Sequence, residues 1–421
     1  MNQPGSRKAI IVGGSMGGLF IGNMLVRRGW DVDIYERVAG MLNVRGAGIA
    51  GHPEYEPIMR ACGLSDARPV GIEVEGRTAY DQDGRVIAFH PHPQYLTFWG
   101  VVHAKLLGAF PAARYHTGVG FQGLEPGTRQ CRVRLSNGET VAADLVVAAD
   151  GLRSSVRAAL APDIVPDYGG YFAFRGIAPE HKLSARFRDT MMGRYIWVFP
   201  GDGQFSGYPI CGMDFSTEPG RRQYAYLWYR AIGAEAMRDL LTDAGGRCHE
   251  HNIPPPLIRP EHFVRLRQDA DRLLAPLFSE IVRAAEHDML QPMYDVESRE
   301  IAFGNVCLLG DAAFTARPHV GIGVLKAGQD ALELIQCLER HEVIPEALKA
   351  YAAARVPTGR KAVRFSRYLG TFIERGHPSP ETDPDLQLTA QFLLQTSART
   401  VESAEAFLGP RRAMFDALVT A

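Results

Sequence analysis

The stretch Ile11-Val12-Gly13-Gly14-Ser15-Met16-Gly17-Gly18, closed downstream by Glu36, decides how this chain folds. Residues Lys8–Val12 read as a short buried strand, and the apolar spacing predicts a helix from about Gly17 to Arg28. Gly29 stops that helix and Asp31–Tyr35 reads as a second strand, so the chain opens on a β-α-β unit. A G-x-G-x-x-G loop lets the backbone turn tightly and approach a pyrophosphate, whose charge sits on the helix N-terminus. Here the register is Gly13, Ser15, Gly18, with serine in the middle place, while Gly14 and Gly17 keep the loop small. Glu36 lies 18 residues after Gly18. That is close to the spacing of about 20 expected for a carboxylate that grips ribose hydroxyls. The unit therefore points to a bound dinucleotide.

Two more apolar strands end in the same chemistry. Asp144-Leu-Val-Val-Ala-Ala-Asp150-Gly151 runs into Leu152-Arg153-Ser154-Ser155-Val156-Arg157, so a carboxylate emerges at the C-terminal edge of a parallel strand, where ligands bind. Asp150 could equally cap the helix that follows. Val306-Cys-Leu-Leu-Gly310-Asp311 leads to Pro318-His319-Val320-Gly321-Ile322-Gly323, a P-x-x-G-x-G turn before a long helix whose free N–H groups favour negative charge.

Residues 70–98 alternate as a hairpin about Asp83-Gly84, and 99–110 read as helix. A second hairpin turns at Asn137-Gly138. Residues 168–232 are rich in aromatics and β-formers and suggest a separate, mostly antiparallel sheet. Residues 262–287 and most of 321–421 read as helical. The expected division is a nucleotide-binding part over 1–165 (with 70–98 as a candidate to join the other sheet), a substrate part over 166–295, a second nucleotide-binding part over 296–345 and a helical region over 346–421.

The chain has 421 residues, of which 46% are hydrophobic and 22% charged, the balance of a folded protein. Lys+Arg (46) and Asp+Glu (47) nearly cancel, which disfavours a nucleic-acid or anionic-membrane role. The six cysteines form no C-x-x-C pair, and a reducing cytoplasm is the simplest setting. No run of about 18 uninterrupted apolar residues suggests a membrane span. Cys248-His249-Glu250-His251 looks metal-like, but with no second ligand pair it reads as a solvated turn, and no metal is expected. His90 and His92, on either side of Pro91, read as surface residues. Gly13-Gly14-Ser15-Met16-Gly17 also matches the G-x-S-x-G elbow of serine hydrolases. That elbow needs an oxyanion loop from an earlier strand, and none precedes Lys8.

Taken in order, the glycine loop, the D-G-x-x-S-x-x-R segment and the G-D…P-x-x-G-x-G segment resemble the class A flavoprotein monooxygenases. The resemblance covers essentially the whole chain. It implies a p-hydroxybenzoate-hydroxylase-like α/β fold: a Rossmann-like FAD-binding domain interleaved with a mostly antiparallel substrate sheet, plus a helical C-terminal tail. Gly310-Asp311-Ala312-Ala313, Arg317-Pro318-His319, Lys326-Ala327, Tyr208-Pro209-Ile210, Trp228-Tyr229 and Arg114-Tyr115-His116-Thr117 resemble the 2,6-dihydroxypyridine 3-hydroxylase subfamily.

The resemblance implies FAD held by Gly13, Gly14, Ser15, Met16, Gly17 and Gly18, by Glu36 at the ribose, and by Arg37, Arg45, His103 and Asp150 nearby. Asp311 would meet the ribityl chain, and Gly321, Ile322 and Gly323 the flavin ring. His103 stands where many relatives carry an arginine. NADH or NADPH would dock transiently, and a flavin C4a-hydroperoxide would transfer oxygen from O2 to an activated aromatic ring, a hydroxypyridine or similar N-heteroaromatic. His319, Tyr208 and His52 are the candidate catalytic residues, and Tyr208, Met213, Tyr226, Trp228 and His319 the candidate substrate contacts. A homodimer through the tail is an expectation by analogy only. Halogenase and reductase chemistry are the flavin alternatives, and the halogenase W-x-W-x-I-P motif is absent.

Overall fold

The computed structural model describes residues 7–40, 48–65, 70–125, 127, 130–200, 203–374 and 386–420. Its first layer is a six-stranded sheet in the order Ala302–Phe303, Val306–Leu308, Leu145–Ala148, Lys8–Val12, Asp31–Glu36, Tyr115–Thr117. All its pairings are parallel except the Ala302–Phe303 edge. Strands from three distant parts of the chain are neighbours in it, with Val12 opposite Ala148 and Ala148 opposite Leu308. Their C-terminal ends therefore deliver the Gly13, Asp150 and Gly310 loops to one edge, the place where open α/β sheets bind ligands. The helices Met16–Val26 and Gly323–Arg340 pack together over this sheet.

The second layer is a nine-stranded sheet ordered Phe314–Thr315, Met289–Glu297, Asp167–Pro179, Gln223–Ala231, Gln204–Ile210, Tyr195–Phe199, Ile72–Asp81, Val86–Phe98, Gly48–Ala50. The hairpin over 70–98 belongs to it, joined through a parallel pairing of Ile72–Asp81 with Tyr195–Phe199. The Asn137-Gly138 hairpin instead forms a small three-stranded sheet with Phe121–Glu125.

Side chains alternate along a strand, and residues directly opposite each other in neighbouring strands share a face. Phe174 opposite Trp228, and Trp228 opposite Phe205, lie on one face. With Tyr224, Tyr226 and Ile196 they pack against Phe187, Leu266 and Ile281 of the helices Ala185–Met191, Pro260–Leu273 and Pro276–Ala284. The other face carries Arg175, Leu227, Ser206 and Trp197 in register and looks toward the six-stranded sheet.

The C-terminal helices fold back over the hairpin. His90 and His92 are consequently half-buried rather than on the surface, and Arg399 Nη2 reaches both, at 2.8 and 3.0 Å. Arg77, fully buried, donates to the carbonyls of Leu394 and Ala398 at 2.9 Å each and so caps the helix Leu386–Thr396. No described helix is long and apolar enough to cross a membrane. Among the described residues no group of three or more His, Cys, Asp or Glu could hold a metal.

Candidate active site

A cleft of about 550 Å³ opens where the three loops meet, walled by Gly13, Ser15, Glu36, Asp150, Gly310, Asp311 and Gly323. The turn at Gly13 requires glycine. Its φ is +105°, and a Cβ there would lie 2.4 Å from the Ala149 carbonyl oxygen. At Gly18 a Cβ would sit 1.9 Å from the Gly13 carbonyl oxygen. Glu36 accepts the N–H of Gly14 at 2.8 Å and that of Val38 at 2.9 Å, which fixes its carboxylate across the loop. Ser15 is the N-cap of Met16–Val26, but its hydroxyl makes no capping bond, and no acidic residue occupies the first turn. The positive end of that helix is thus left to an outside anion.

The second loop is tied down by its own polar groups. Asp150 Oδ2 accepts from the Ser155 N–H at 2.7 Å and from its hydroxyl at 3.0 Å, while Ser154 caps the helix Ser155–Leu160. Asp150 Oδ1 is buried without a partner at the cleft wall. Arg157 braces two loops at once: Nη1 donates to Ala312 at 2.8 Å and Nη2 to Leu152 at 2.5 Å. In the third loop Gly310 has φ +64°, its N–H meets Asp330 at 3.1 Å, and Lys326 Nζ donates to its carbonyl at 2.9 Å. Arg355 completes that buried cluster through Asp330. Asp311, which follows, is open to the cleft. The surrounding protein nonetheless desolvates its carboxyl and raises its pKa.

These features fit FAD. A capless helix N-terminus suits the pyrophosphate, Glu36 and the unmatched Asp150 oxygen suit sugar hydroxyls, and Gly323 would place a Cβ in open space with no protein atom within 4 Å. Nothing in the protein's own packing demands glycine there, whereas a flat ring laid against the turn would. Arg37 lies exposed at the cleft mouth, and Met16 and Gly17 line the wall. His103 is buried, stacked on Trp99 at 4.6 Å between ring centroids, and its Nε2 is 3.4 Å from the Gly14 carbonyl. Arg45 lies outside the described residues.

A second cavity of about 400 Å³ adjoins the first and shares Trp99, Asp311, Gly323 and Val324 with it. Its floor is the inner face of the nine-stranded sheet, and Pro318, His319 and Gly321 close its end. Tyr208 and His319 of the sequence candidates line it. Tyr226 and Trp228 do not: Tyr208 pairs with Ala225, so even-numbered residues of the neighbouring strand point to the opposite, helix-covered face. Met213 is 42% exposed beyond the end of its strand. His52 sits behind the turn, its Nε2 donating to the Gly321 carbonyl at 3.2 Å, where it supports the turn and lines a different groove.

His319 Nε2 and the Tyr171 hydroxyl are 2.6 Å apart, and Arg317 Nη1 donates to the Tyr171 oxygen at 3.5 Å. The phenol, its oxygen accepting from Arg317, can donate its own proton to the imidazole. Burial, with Arg317 nearby, lowers the His319 pKa to about 3, so the ring is neutral. Asp295, completely buried, holds Arg317 at 2.9 Å and also pairs with Arg367. Arg175, Gln204, Ser206 and Gln291 line the cavity as well and were not singled out from sequence. Strict alternation along 171-173-175 and 204-206-208 was the available signal.

The chain has the fold of the class A flavoprotein monooxygenases. A family profile described as FAD binding domain-like matches residues 168–295, which is mainly the antiparallel sheet and not the glycine loop. The 2,6-dihydroxypyridine 3-monooxygenase of Paenarthrobacter nicotinovorans is 26% identical over 89% of this chain and 93% of its own length. The 3-amino-4-hydroxybenzoate 2-monooxygenase of Streptomyces cremeus is 27% identical over 90% of this chain and 91% of its own. The solved structure of 2,6-dihydroxypyridine-3-hydroxylase from Arthrobacter nicotinovorans superposes with a TM-score of 0.83 at 24% identity, covering 90% of this chain and 96% of that one. Klebsiella pneumoniae HpxO, complexed with FAD and uric acid, superposes with a TM-score of 0.73 at 20% identity, over 100% and 98% of the two chains.

Proposed function

We propose that the chain hydroxylates an activated aromatic ring, a hydroxypyridine or related N-heteroaromatic, with NAD(P)H and dioxygen as co-substrates. The observation that carries this reading is the junction of the two cavities at Trp99, Asp311, Gly323 and Val324. The residues that would hold a flavin in the first thus also border the space open to a ring in the second. FAD would be held by the Gly13–Gly18 loop, Glu36, Asp311 and the Gly321–Gly323 turn, and when bound it supplies the redox chemistry that activates oxygen. The names of the relatives, several acting on hydroxypyridines or aminohydroxybenzoates, support the same class of substrate.

The chain's own side chains bind, orient and exclude water. Trp197, Leu227 and Met293 give the cavity apolar walls, and a dry site suppresses loss of activated oxygen to peroxide. His319 has Nε2 committed to Tyr171, so its Nδ1–H is the donor left for a ring oxygen. Tyr171 acts as the positioning residue that sets that tautomer. Ser15 carries no hydrolytic role in this reading: the nearby His103 Nε2 contacts the Gly14 carbonyl.

Purified protein tests the proposal directly. It should be yellow, and 2,6-dihydroxypyridine should stimulate NAD(P)H oxidation with oxygen uptake and a product heavier by one oxygen atom. A colourless protein that refuses FAD overturns the reading, and so does NAD(P)H oxidation that yields only peroxide with every hydroxypyridine tried.

A further inference from the structure

The second cavity is lined mostly by neutral groups, and its charged side chains differ in how they are matched. Arg317 is matched by Asp295 at 2.9 Å. Asp311 belongs to the cofactor end, where the two cavities meet. Arg175 is different. Its Nη1 donates to Gln291 Oε1 at 2.5 Å, and it also hydrogen-bonds the Tyr208 hydroxyl, both neutral partners. Among the described residues it forms no ion pair with a carboxylate. A half-buried guanidinium has lost part of its hydration, and its planar fork of five donors suits an anionic oxygen better than an amide or a phenol.

Its place on the strand gives the cavity a length. Arg175 and Tyr171 share one face of Asp167–Pro179, four residues apart. At about 3.3 Å per residue their Cα atoms stand roughly 13 Å apart. Tyr171 holds His319 at one end, and Leu227 and Tyr229 line the cavity between. The arginine and the histidine thus both face the cavity, with its floor between them.

We infer that Arg175 selects the substrate by receiving an anionic oxygen on the aromatic ring, either a ring carboxylate or an ionised ring hydroxyl, while Gln291 and Tyr208 hold the guanidinium in place. The inference rests on the second cavity being the substrate site. An ionised hydroxyl held there would also keep the ring in its electron-rich form, whereas a carboxylate would serve as an anchor alone.

Calorimetric titration of the FAD-loaded protein with three probes decides the matter: 6-hydroxynicotinate for the carboxylate, 2,6-dihydroxypyridine for the ionisable hydroxyl, and 2,6-dimethoxypyridine as the neutral ring. At least one anionic probe should bind about 30-fold or more tighter than the neutral ether, since an uncompensated charge lost from a buried pair weakens binding by that order. Which of the two shows the preference identifies the oxygen. Arg175→Gln should reduce that probe to the level of the ether with FAD content unchanged, and Arg175→Lys should restore part of the preference. Equal binding of all three probes to the wild-type protein overturns the inference, as does a preference that survives Arg175→Gln. If Arg175→Gln does not retain FAD, the wild-type comparison of charged and neutral rings still decides. Ring binding with the expected preference but no coupled oxygenation would sink the proposed reaction and leave the role of Arg175 intact.

Discussion

Leu227 and Trp228 are adjacent in the chain, yet they serve opposite faces of the nine-stranded sheet. Leu227 looks into the cavity shared with His319, whereas Trp228 is fully buried between Phe205 and the Arg230 guanidinium, 5.3 Å from its ring centroid. One face is a finished core closed by three helices, and the other is left open as a binding floor. The same strands thus divide stability from recognition by parity alone, and a slip of one residue would exchange the two roles.

The largest expected effect comes from truncating the closed face. Trp228→Ala should cost about 3–5 kcal/mol, as removal of a large aromatic from a packed core does. Scanning calorimetry should show a large loss of Tm, while ring binding in the protein that remains folded is little changed. Leu227→Ala should sit nearer 2 kcal/mol because it enlarges a space that already exists, and it should shift KM toward bulkier rings. If Leu227→Ala proves the more damaging to stability, or Trp228→Ala the more damaging to ring affinity, the division by face is wrong.

That division also explains what could be read from sequence. The three ligand loops were legible because each is a local string, with glycines and an acid at fixed offsets behind an apolar strand; their convergence follows from parallel pairing of Lys8–Val12, Leu145–Ala148 and Val306–Leu308. The cavity was harder. Arg175, Ser206, Leu227 and Gln291 come from four strands, and only the register between strands says which of them share a face. The chemistry of Tyr226 and Trp228 suits a binding pocket, but parity, invisible until Tyr208 is paired with Ala225, sends them away. His52 lies beside the Gly321–Gly323 turn, but its side chain holds a carbonyl from behind. His90 and His92 read as exposed because a tail more than 300 residues later in the chain covers them.

On the open face, Tyr171→Phe should have an intermediate effect. The lost hydroxyl accounts for one hydrogen bond to His319 and one from Arg317, so stability should fall by about 1 kcal/mol. Without the phenol to fix the tautomer, His319 Nδ1–H is no longer reliably presented, and kcat/KM for the ring substrate should drop about tenfold at constant FAD content, the equivalent of one hydrogen bond in the transition state. A change confined to Tm, with kinetics untouched, would reduce Tyr171 to packing.

The smallest effect is on pH dependence and follows from burial on both sides of the floor. His319 and His92 each have their pKa lowered to about 3, and His52, His90 and His103 are lowered as well, desolvation being the main cause in every case. An unfolded histidine titrates near 6.5, at about its model-peptide value. Between that value and about 3 the unfolded chain binds protons that the folded chain refuses, so stability rises with pH through this window and is lost on acidification. Tm should be level above about pH 7 and begin to fall near pH 6.5, before most carboxylates titrate. His92→Asn, away from the cavity, should flatten that slope by up to one proton and shift Tm at pH 5 by a few degrees relative to wild type, with ring binding unaltered. A Tm profile flat from pH 7 to 5 would mean that these imidazoles accept protons in the folded protein. The neutral His319 on which the presentation of Nδ1–H depends would then be lost.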